Sequence, residues 1–145
     1  MLTFVPASLA DGEALASLRV AAMRESLERI GRYDPQRARQ RFLTTFDPDC
    51  TWQLRHGGAL AGFYVLRPQA EHLLLDHLYL APECQRQGLG AAVLARVFAE
   101  ADAAGKSVRV GALRGSEANR FYVRQGFVPD GEEEFDLYYR RVPKP

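Results

Sequence analysis

Several features that mark specialised proteins are scarce or missing in this sequence. It has only two cysteines, Cys50 and Cys84, which are too few for a disulfide framework and are not spaced as a metal-binding pair. Its apolar runs are far shorter than the ~20 residues that span a bilayer, and the N-terminal stretch MLTFVPASLADGE has no basic region before an apolar segment. We therefore expect a cytoplasmic protein with no secretion signal and no membrane partner.

A strong charge of either sign is missing as well, since the formal net charge is +1. Seven arginines stand against three acids between Arg19 and Arg41, while five acids and no base lie between Asp130 and Asp136. Such runs are most often solvated faces, although the basic run could attract an acidic molecule and the acidic run a cationic amine. Because the whole chain is nearly neutral, we expect no nucleic-acid partner.

What is present is the composition of an ordinary globular domain. The chain has 145 residues, of which 47% are hydrophobic and 26% charged, so it can bury a core without the help of disulfides or metal ions. No repeat and no evident linker interrupts it. We expect a single domain over residues 1–145.

The spacing of apolar residues predicts several strands. Alternation predicts strands in LTFVPA, TWQLRH and ALAGFYVLR, and the continuous apolar segment HLLLDHLYL predicts a central strand buried on both faces. SVRVGAL should be a further strand that runs parallel to HLLLDHLYL, and two more strands should end the chain.

Between these strands, apolar residues recur at helical spacing and predict helices. Ser8 or Asp11 is expected to cap the first helix and Ser116 the last, and two further helices should begin at Asp34 and Pro35 and at Leu89. The expected fold class is therefore α/β with a mixed central sheet.

The junction between HLLLDHLYL and the third helix has the composition of an anion site. The loop carries Gln85, Arg86 and Gln87, and Gly88 and Gly90 follow where the helix begins. The first backbone N–H groups of a helix lack internal partners and the helix dipole adds positive charge, so a phosphate or pyrophosphate binds there readily. A turn that only tightens the connection between strand and helix would explain the two glycines equally well.

Two nucleotide-binding motifs do not fit this junction. A Walker loop needs Gly-Lys followed by Ser or Thr, and no lysine lies nearby. A dinucleotide fingerprint needs a third glycine or alanine near Val93 and an acid roughly 20 residues further on, where this chain has Val108, Arg109 and Val110. A phosphate-bearing cofactor of another type is therefore favoured.

The segment LYLAPECQRQGLGAAVL resembles the acyl-CoA-binding motif of the GNAT superfamily of N-acetyltransferases. The core of that motif is a Gln or Arg, two residues, a Gly, one residue, and a Gly or Ala. Gln85, Gly88 and Gly90 occupy these three positions, and Pro82 stands upstream where the family often has a proline.

A second segment, GSEANRFYVRQGFV, resembles the second motif of the same family. Many members have Asn seven residues before a tyrosine of this motif, where this chain has Gly115, so Ser116 or Asn119 is expected to supply that contact to pantetheine. The matching residues are Ala118, Phe121, Tyr122, Gly126 and Phe127.

The resemblance implies a GNAT-like fold, with a mixed and mostly antiparallel sheet of about six to seven strands flanked by about four helices. It also implies that the pyrophosphate of acetyl-CoA lies on Gln85–Ala91 and that the pantetheine pairs with the backbone of Leu78–Leu80. No metal ion is expected, because no metal-ligand spacing links the three histidines. The residues predicted to contact acetyl-CoA are Leu78, Tyr79, Leu80, Gln85, Arg86, Gln87, Gly88, Leu89, Gly90, Ala91, Ser116, Asn119 and Tyr122.

Acetyl transfer from a thioester to an amine requires a neutral nucleophile, a stabilised oxyanion and a protonated leaving thiolate. The resemblance assigns protonation of the thiolate to Tyr122, although this residue would also suit core packing. His77 and Asp76 interrupt an apolar strand and are the two candidates for the general base, and each could instead be a satisfied polar residue. A backbone N–H near Leu80 is the expected oxyanion donor.

The expected function is that of an N-acetyltransferase, which moves an acetyl group from acetyl-CoA to a primary amine by direct transfer. The acceptor stays open among small-molecule amines, polyamines, amino acids, and protein lysines or N-termini. The alternative is a non-catalytic module that binds or senses acyl-CoA. Dimers are common in the family, so a homodimer is one expected state.

Overall fold

The computed structural model describes every residue from Met1 to Pro145 and contains seven strands and four α-helices. None of these helices has both the length and the apolar composition that crossing a membrane would require. In chain order the elements are β1 (Leu2–Pro6), α1 (Gly12–Arg29), α2 (Pro35–Thr45), β2 (Thr51–His56), β3 (Ala59–Pro68), β4 (His72–Leu80), α3 (Leu89–Ala104), β5 (Ser107–Leu113), α4 (Ala118–Arg124), β6 (Val128–Glu132) and β7 (Asp136–Arg141).

All seven strands belong to one sheet, in the order β1-β2-β3-β4-β5-β7-β6. Antiparallel pairing joins β1 to β2, β2 to β3, β5 to β7 and β6 to β7. β4 and β5 run parallel, from His72 opposite Ser107 to Leu75 opposite Val110, and α3 makes the crossover between them. The mixed, mostly antiparallel sheet and the four helices confirm the predicted fold class.

The chain forms two compact units, of which the first consists of Met1–Val65 and His77–Gly90. The apolar residues of α1 recur at helical spacing, so one stripe of this helix is buried. α2 begins where the Asp34 carboxylate accepts a hydrogen bond from the Arg37 backbone N–H at 3.1 Å, with Pro35 in the first turn. The buried core residues of this unit are Leu15, Ala16, Leu18, Phe42, Phe63, Val65 and Ala81.

The second unit consists of Leu66–Asp76 and Ala91–Pro145. Arg141 on β7 donates to both carboxylate oxygens of Asp102 on α3, at 2.8 and 3.1 Å, and its guanidinium lies 4.0 Å from the centre of the Phe98 ring. The Arg141 side chain is only 8% exposed, so this pairing satisfies a charge that would otherwise be costly to bury. The most deeply buried apolar residues of the unit include Val93, Leu94, Val97, Ala101, Val108 and Phe127.

The burial of β4 differs from the prediction. Leu73 and Leu75 are buried, whereas Asp76 is exposed and residues 77–80 are half-buried. Because successive side chains of a strand point to opposite faces, Leu73 and Leu75 lie on one face, and the rest of the strand is covered only in part. The prediction that β4 is buried on both faces is therefore wrong.

The start of α1 agrees with the prediction, whereas the start of α4 differs. Asp11 is the residue directly before α1, at the end of a single 3-10 turn over Leu9–Asp11. Glu117, and not Ser116, is the residue before α4, and the Ser116 hydroxyl accepts a hydrogen bond from the Asn119 side chain at 3.2 Å.

Candidate active site

The loop between β4 and α3 has an unusual backbone. Gly88 has φ +80°, in the left-handed region that glycine adopts freely, and Arg86 has φ +63°, which is uncommon for a residue with a side chain. α3 begins at Leu89, so the N-terminal backbone donors of the helix and its dipole lie at the end of this loop. A Cβ on Gly88 would have no atom within 4 Å, so the loop is open on that side. The predicted glycine junction therefore has the open backbone that an anion site requires.

Both glutamines of the loop bond to the backbone of their own segment. The Gln85 side-chain amide donates to the carbonyl of Leu80 at 3.2 Å, and that of Gln87 donates to the carbonyl of Glu83 at 3.1 Å. These bonds hold the shape of the loop. Backbone N–H groups are therefore better placed than the two glutamine side chains to serve as donors to an anion.

The end of β4 lies unusually close to β3. The Ala81 N–H donates to the Ala61 carbonyl at 2.8 Å. A Cβ on Gly62 would lie 2.8 Å from a Leu80 side-chain carbon, and still closer to the carbonyl oxygen of Tyr79. Only glycine fits at this position without movement of the backbone.

His77 and Tyr79 project from the same face of β4 and form a polar cluster with α1. His77 Nδ1 lies 3.3 Å from Tyr79 Oη, and Arg19 Nε donates to the same oxygen at 3.4 Å. The Arg19 guanidinium also donates to the carbonyl of Ala38 on α2 at 2.6 Å. Phe42 borders the cluster, with its ring centre 5.5 Å from that of His77. One candidate base thus lies next to a tyrosine hydroxyl that a guanidinium also contacts.

Arg19 is the residue of this cluster that the sequence reasoning missed. It lies four residues after Leu15 and three before Ala22, which places it on the apolar stripe of α1. A charged residue on the buried stripe of a helix is unusual, and that was the available signal.

Asp76, the other candidate base, is engaged elsewhere. Its carboxylate accepts a hydrogen bond from Arg67 Nε at 2.9 Å, and the two side chains are 35% and 21% exposed. Adjacent residues of a strand project from opposite faces, so the structure separates Asp76 from His77.

Tyr122 lies on α4 and is only 5% exposed. Its ring packs edge-on against Phe127, with 5.4 Å between ring centres, and lies 6.2 Å from the ring of Tyr139. Packing therefore fixes the ring tightly, which suits both a core residue and a catalytic acid with a defined orientation.

Asn119 is held within the second unit by both ends of its side chain. Its amide nitrogen donates to the carbonyls of Leu113 and Ser116 at 2.9 Å each, and its oxygen accepts the hydroxyl of Tyr139 at 2.8 Å. This arrangement favours a structural role for Asn119 over the predicted contact to pantetheine.

Gly115 explains the departure from the second motif. Its φ of +84° is left-handed, and among residues with a side chain asparagine tolerates this conformation best. Glycine therefore suits the backbone conformation that this position adopts.

The predicted site residues are distributed over both units. No three side chains of His, Cys, Asp or Glu lie close enough together to hold a metal ion. The first unit contains His77, Leu78–Leu80 and Gln85–Gly90, and the second contains Asp76, Ala91, Ser116, Asn119 and Tyr122.

Solved structures with the same fold cover nearly the whole chain. The PaiA N-acetyltransferase of Thermoplasma acidophilum, in complex with coenzyme A, superposes with a TM-score of 0.81 at 17% identity, over 98% of this chain and 99% of its own. The ribosomal-protein-S18-alanine N-acetyltransferase of Escherichia coli gives a TM-score of 0.76 at 18% identity, over 100% of this chain and 96% of its own. N-acetylglutamate synthase of Neisseria gonorrhoeae, complexed with coenzyme A and N-acetyl-glutamate, gives 0.69 at 20% identity, over 100% of this chain but 36% of its own.

Sequence comparison adds the family. Among curated proteins none matches this sequence significantly. The acetyltransferase (GNAT) domain family, however, matches residues 20–143, which is most of the chain. With this match and the shared fold, the chain belongs to the GNAT family of acetyltransferases.

Proposed function

We propose that this protein is an acetyl-CoA-dependent N-acetyltransferase that transfers the acetyl group directly to a primary amine. The observation that carries the proposal is the left-handed loop residue Gly88, placed immediately before α3 in a chain of the GNAT family. Acetyl-CoA would supply the acetyl thioester.

In this proposal the pyrophosphate binds to Gln85–Ala91. The start of α3 provides backbone donors and the positive end of a helix dipole. The open space beside Gly88 and the absence of a side chain at Gly90 support close approach of phosphate oxygens to the backbone.

The pantetheine arm is assigned to the backbone of Leu78–Leu80. Pairing between β4 and β5 runs from His72 to Leu75, so Leu78–Leu80 lie beyond the paired stretch. Backbone N–H and C=O groups at such a strand end suit a ligand that itself carries amide groups. Ser116 stays a proposed additional contact.

For the chemistry we assign His77 as the general base and Tyr122 as the general acid. The amine nitrogen forms a bond to the thioester carbonyl carbon while its proton passes to His77, directly or through water. The carbon–sulfur bond then breaks, and the leaving thiolate takes the proton of the Tyr122 hydroxyl. The backbone N–H of Leu80 is the proposed donor to the oxygen that becomes negative.

His77 is preferred over Asp76 because of their surroundings. The imidazole lies beside the Tyr79 hydroxyl, which orients it, whereas the Asp76 carboxylate is engaged by Arg67. The role of Tyr122 rests on its place in the second motif, and its fixed ring is compatible with that role.

The decisive experiment mixes the protein with acetyl-CoA and a panel of amines, polyamines, amino acids and lysine peptides, and measures free thiol. Amine-dependent release supports the proposal and identifies the acceptor. Tight binding of acetyl-CoA without release on any amine would favour the alternative, a non-catalytic acyl-CoA-binding module. Longer acyl-CoA esters in the same assay test the identity of the acyl group.

Gly88→Ala tests the loop independently of catalysis. A side chain at φ +80° is strained, so the loop must change shape, and we expect CoA affinity to fall about tenfold or more. Gly105→Ala is the matched control, because Gly105 also has a positive φ and open surroundings but ends α3. Equal CoA affinity in both variants would contradict the assignment of the pyrophosphate to this loop.

Three further expectations belong to the proposal. The chain should act as one domain over residues 1–145, should work in the cytoplasm, and should bind neither nucleic acid nor membranes. Light scattering with and without acetyl-CoA will show whether it is a monomer or the homodimer that is common in the family.

A further inference from the structure

We propose that Arg19 binds a carboxylate of the acceptor, so that the acceptor is an amino acid or another amine with an acid group near the amine. This inference rests on the proposed function, because it concerns the molecule that receives the acetyl group. It selects one class from the acceptors that the family leaves open.

The Arg19 guanidinium is held in place before any ligand binds. Nε donates to Tyr79 Oη at 3.4 Å, one terminal nitrogen donates to the Ala38 carbonyl at 2.6 Å, and the group lies over the Tyr79 ring at 5.9 Å from its centre. A guanidinium has five N–H groups in a planar fork, so three remain for another acceptor. A carboxylate is the acceptor that this fork binds best.

Arg19 is half-buried and makes no ion pair with a carboxylate of the protein. By contrast, the more buried Arg141 pairs with Asp102 and the half-buried Arg67 pairs with Asp76. Burial of a cation without a counter-ion is unfavourable, so the fold leaves a charge at Arg19 that an anionic ligand would compensate.

The acids of α1 are paired with other arginines, including Glu25 with Arg29 and Glu28 with Arg24. Glu13 forms a two-bonded pair with Arg39 of α2 on an exposed part of these helices. It is therefore engaged and does not neutralise Arg19.

The position of Arg19 beside the proposed base limits the distance between the amine and the carboxylate of the acceptor. Arg19 Nε and His77 Nδ1 both approach Tyr79 Oη, at 3.4 and 3.3 Å, so they lie no further apart than these two distances together. An α- or β-amino acid can place its amine near His77 while its carboxylate reaches Arg19. A polyamine would instead bring a second positive charge towards a guanidinium, which is unfavourable.

The test compares each amino acid with its own carboxamide as acceptor in the thiol-release assay. The two have nearly the same shape, but only the acid can pair with Arg19. The carboxamide has the less basic amine and is more often uncharged at neutral pH, so a preference for the acid cannot come from the amine itself. We expect kcat/KM to favour the acid about 10- to 100-fold for at least one amino acid.

Variants assign the preference to Arg19. Arg19→Gln should abolish the preference for the acid, and Arg19→Lys should keep part of it, because the charge stays while the planar fork is lost. Arg55→Gln is the matched control, since Arg55 is also half-buried and donates to a neutral oxygen, that of Gln53 at 3.0 Å. It should keep the full preference.

A binding measurement distinguishes failure of the carboxylate site at Arg19 from failure of the proposed acetyltransferase function. Calorimetry with N-acetyl amino acids and their amides, in the presence of CoA, reports the carboxylate site without turnover. Turnover that favours carboxamides or polyamines, or a preference for acids that survives in Arg19→Gln, would overturn the role of Arg19 and leave the acetyltransferase intact. Arg19-dependent binding of acids with no thiol release on any amine would overturn the enzymatic function and retain the carboxylate site.

Discussion

Replacement of Gly62 by alanine tests how closely β3 and β4 must approach. The new Cβ would lie 2.8 Å from a Leu80 side-chain carbon and closer to the Tyr79 carbonyl oxygen, whereas ordinary contact begins at 3.4 Å. The Leu80 side chain can turn away, but the Tyr79 carbonyl belongs to the backbone. Because its oxygen would lie closer to the new Cβ than the Leu80 carbon does, it must move by more than 0.6 Å, the difference between 2.8 and 3.4 Å.

The energetic cost follows from this movement. A retreat of that size would stretch the neighbouring bond from the Ala81 N–H to the Ala61 carbonyl, now 2.8 Å, beyond the ordinary limit of about 3.2 Å. Loss of such a bond costs about 1 kcal/mol, and overpacking a tight site costs about 1–3 kcal/mol more. We expect Gly62→Ala to lower the free energy of unfolding by about 2–4 kcal/mol, which corresponds to roughly 7–13 °C in Tm for a chain of this size.

Urea denaturation followed by tryptophan fluorescence and by circular dichroism measures this change. Gly111→Ala is the matched control, because Gly111 is also a strand glycine, but its Cβ would be crowded only by the ring of Tyr138, at 3.0 Å, and would lie at an ordinary 3.9 Å from the Leu137 carbonyl oxygen. The control should stay within about 1 kcal/mol of the wild type, since alanine is also less flexible than glycine in the unfolded chain. Equal stability of the two variants would refute the argument from close approach.

Three further predictions concern the proposed catalysts and the ion pair between Arg141 and Asp102. Tyr122→Phe should lower kcat about 10²- to 10⁴-fold with unchanged CoA affinity, and full turnover would remove Tyr122 from the mechanism. His77→Gln should cause a similar loss of kcat, while Asp76→Asn should keep full turnover; the opposite pattern would exchange their roles. Hydrogen bonds from Arg141 are the main reason that the pKa of Asp102 is lowered from 3.8 to about 2. Because this folded-state pKa lies below the unfolded value, the stabilisation is present above about pH 4 and is lost as the pH falls towards 2. As the pH is lowered from 5 to 2.5, the urea midpoint of unfolding should therefore fall in the wild type and change less in Asp102→Asn. The same dependence of the midpoint on pH in both proteins would contradict this.

Local patterns in the sequence were enough to predict most elements of the fold. TWQLRH, HLLLDHLYL and SVRVGAL correspond residue for residue to β2, β4 and β5. Their alternating or continuous apolar residues end at glycine, proline or polar residues, so both the type and the bounds of each strand depend on near neighbours in the chain. The junction at Gly88 was recognisable for the same reason, because a helix start and a left-handed turn are local structures.

The partners of the polar side chains could not be read in this way. Arg19 and Tyr79 are 60 residues apart in sequence, yet they share a hydrogen bond because the fold packs α1 against the end of β4. The sequence alone left His77 and Asp76 equivalent, and only the strand geometry places one beside Tyr79 and the other beside Arg67. Short-range patterns were therefore enough to predict the elements and the glycine loop, because the causes of both are local. The packing of elements distant in sequence fixes which charges are paired, because those contacts join distant parts of the chain.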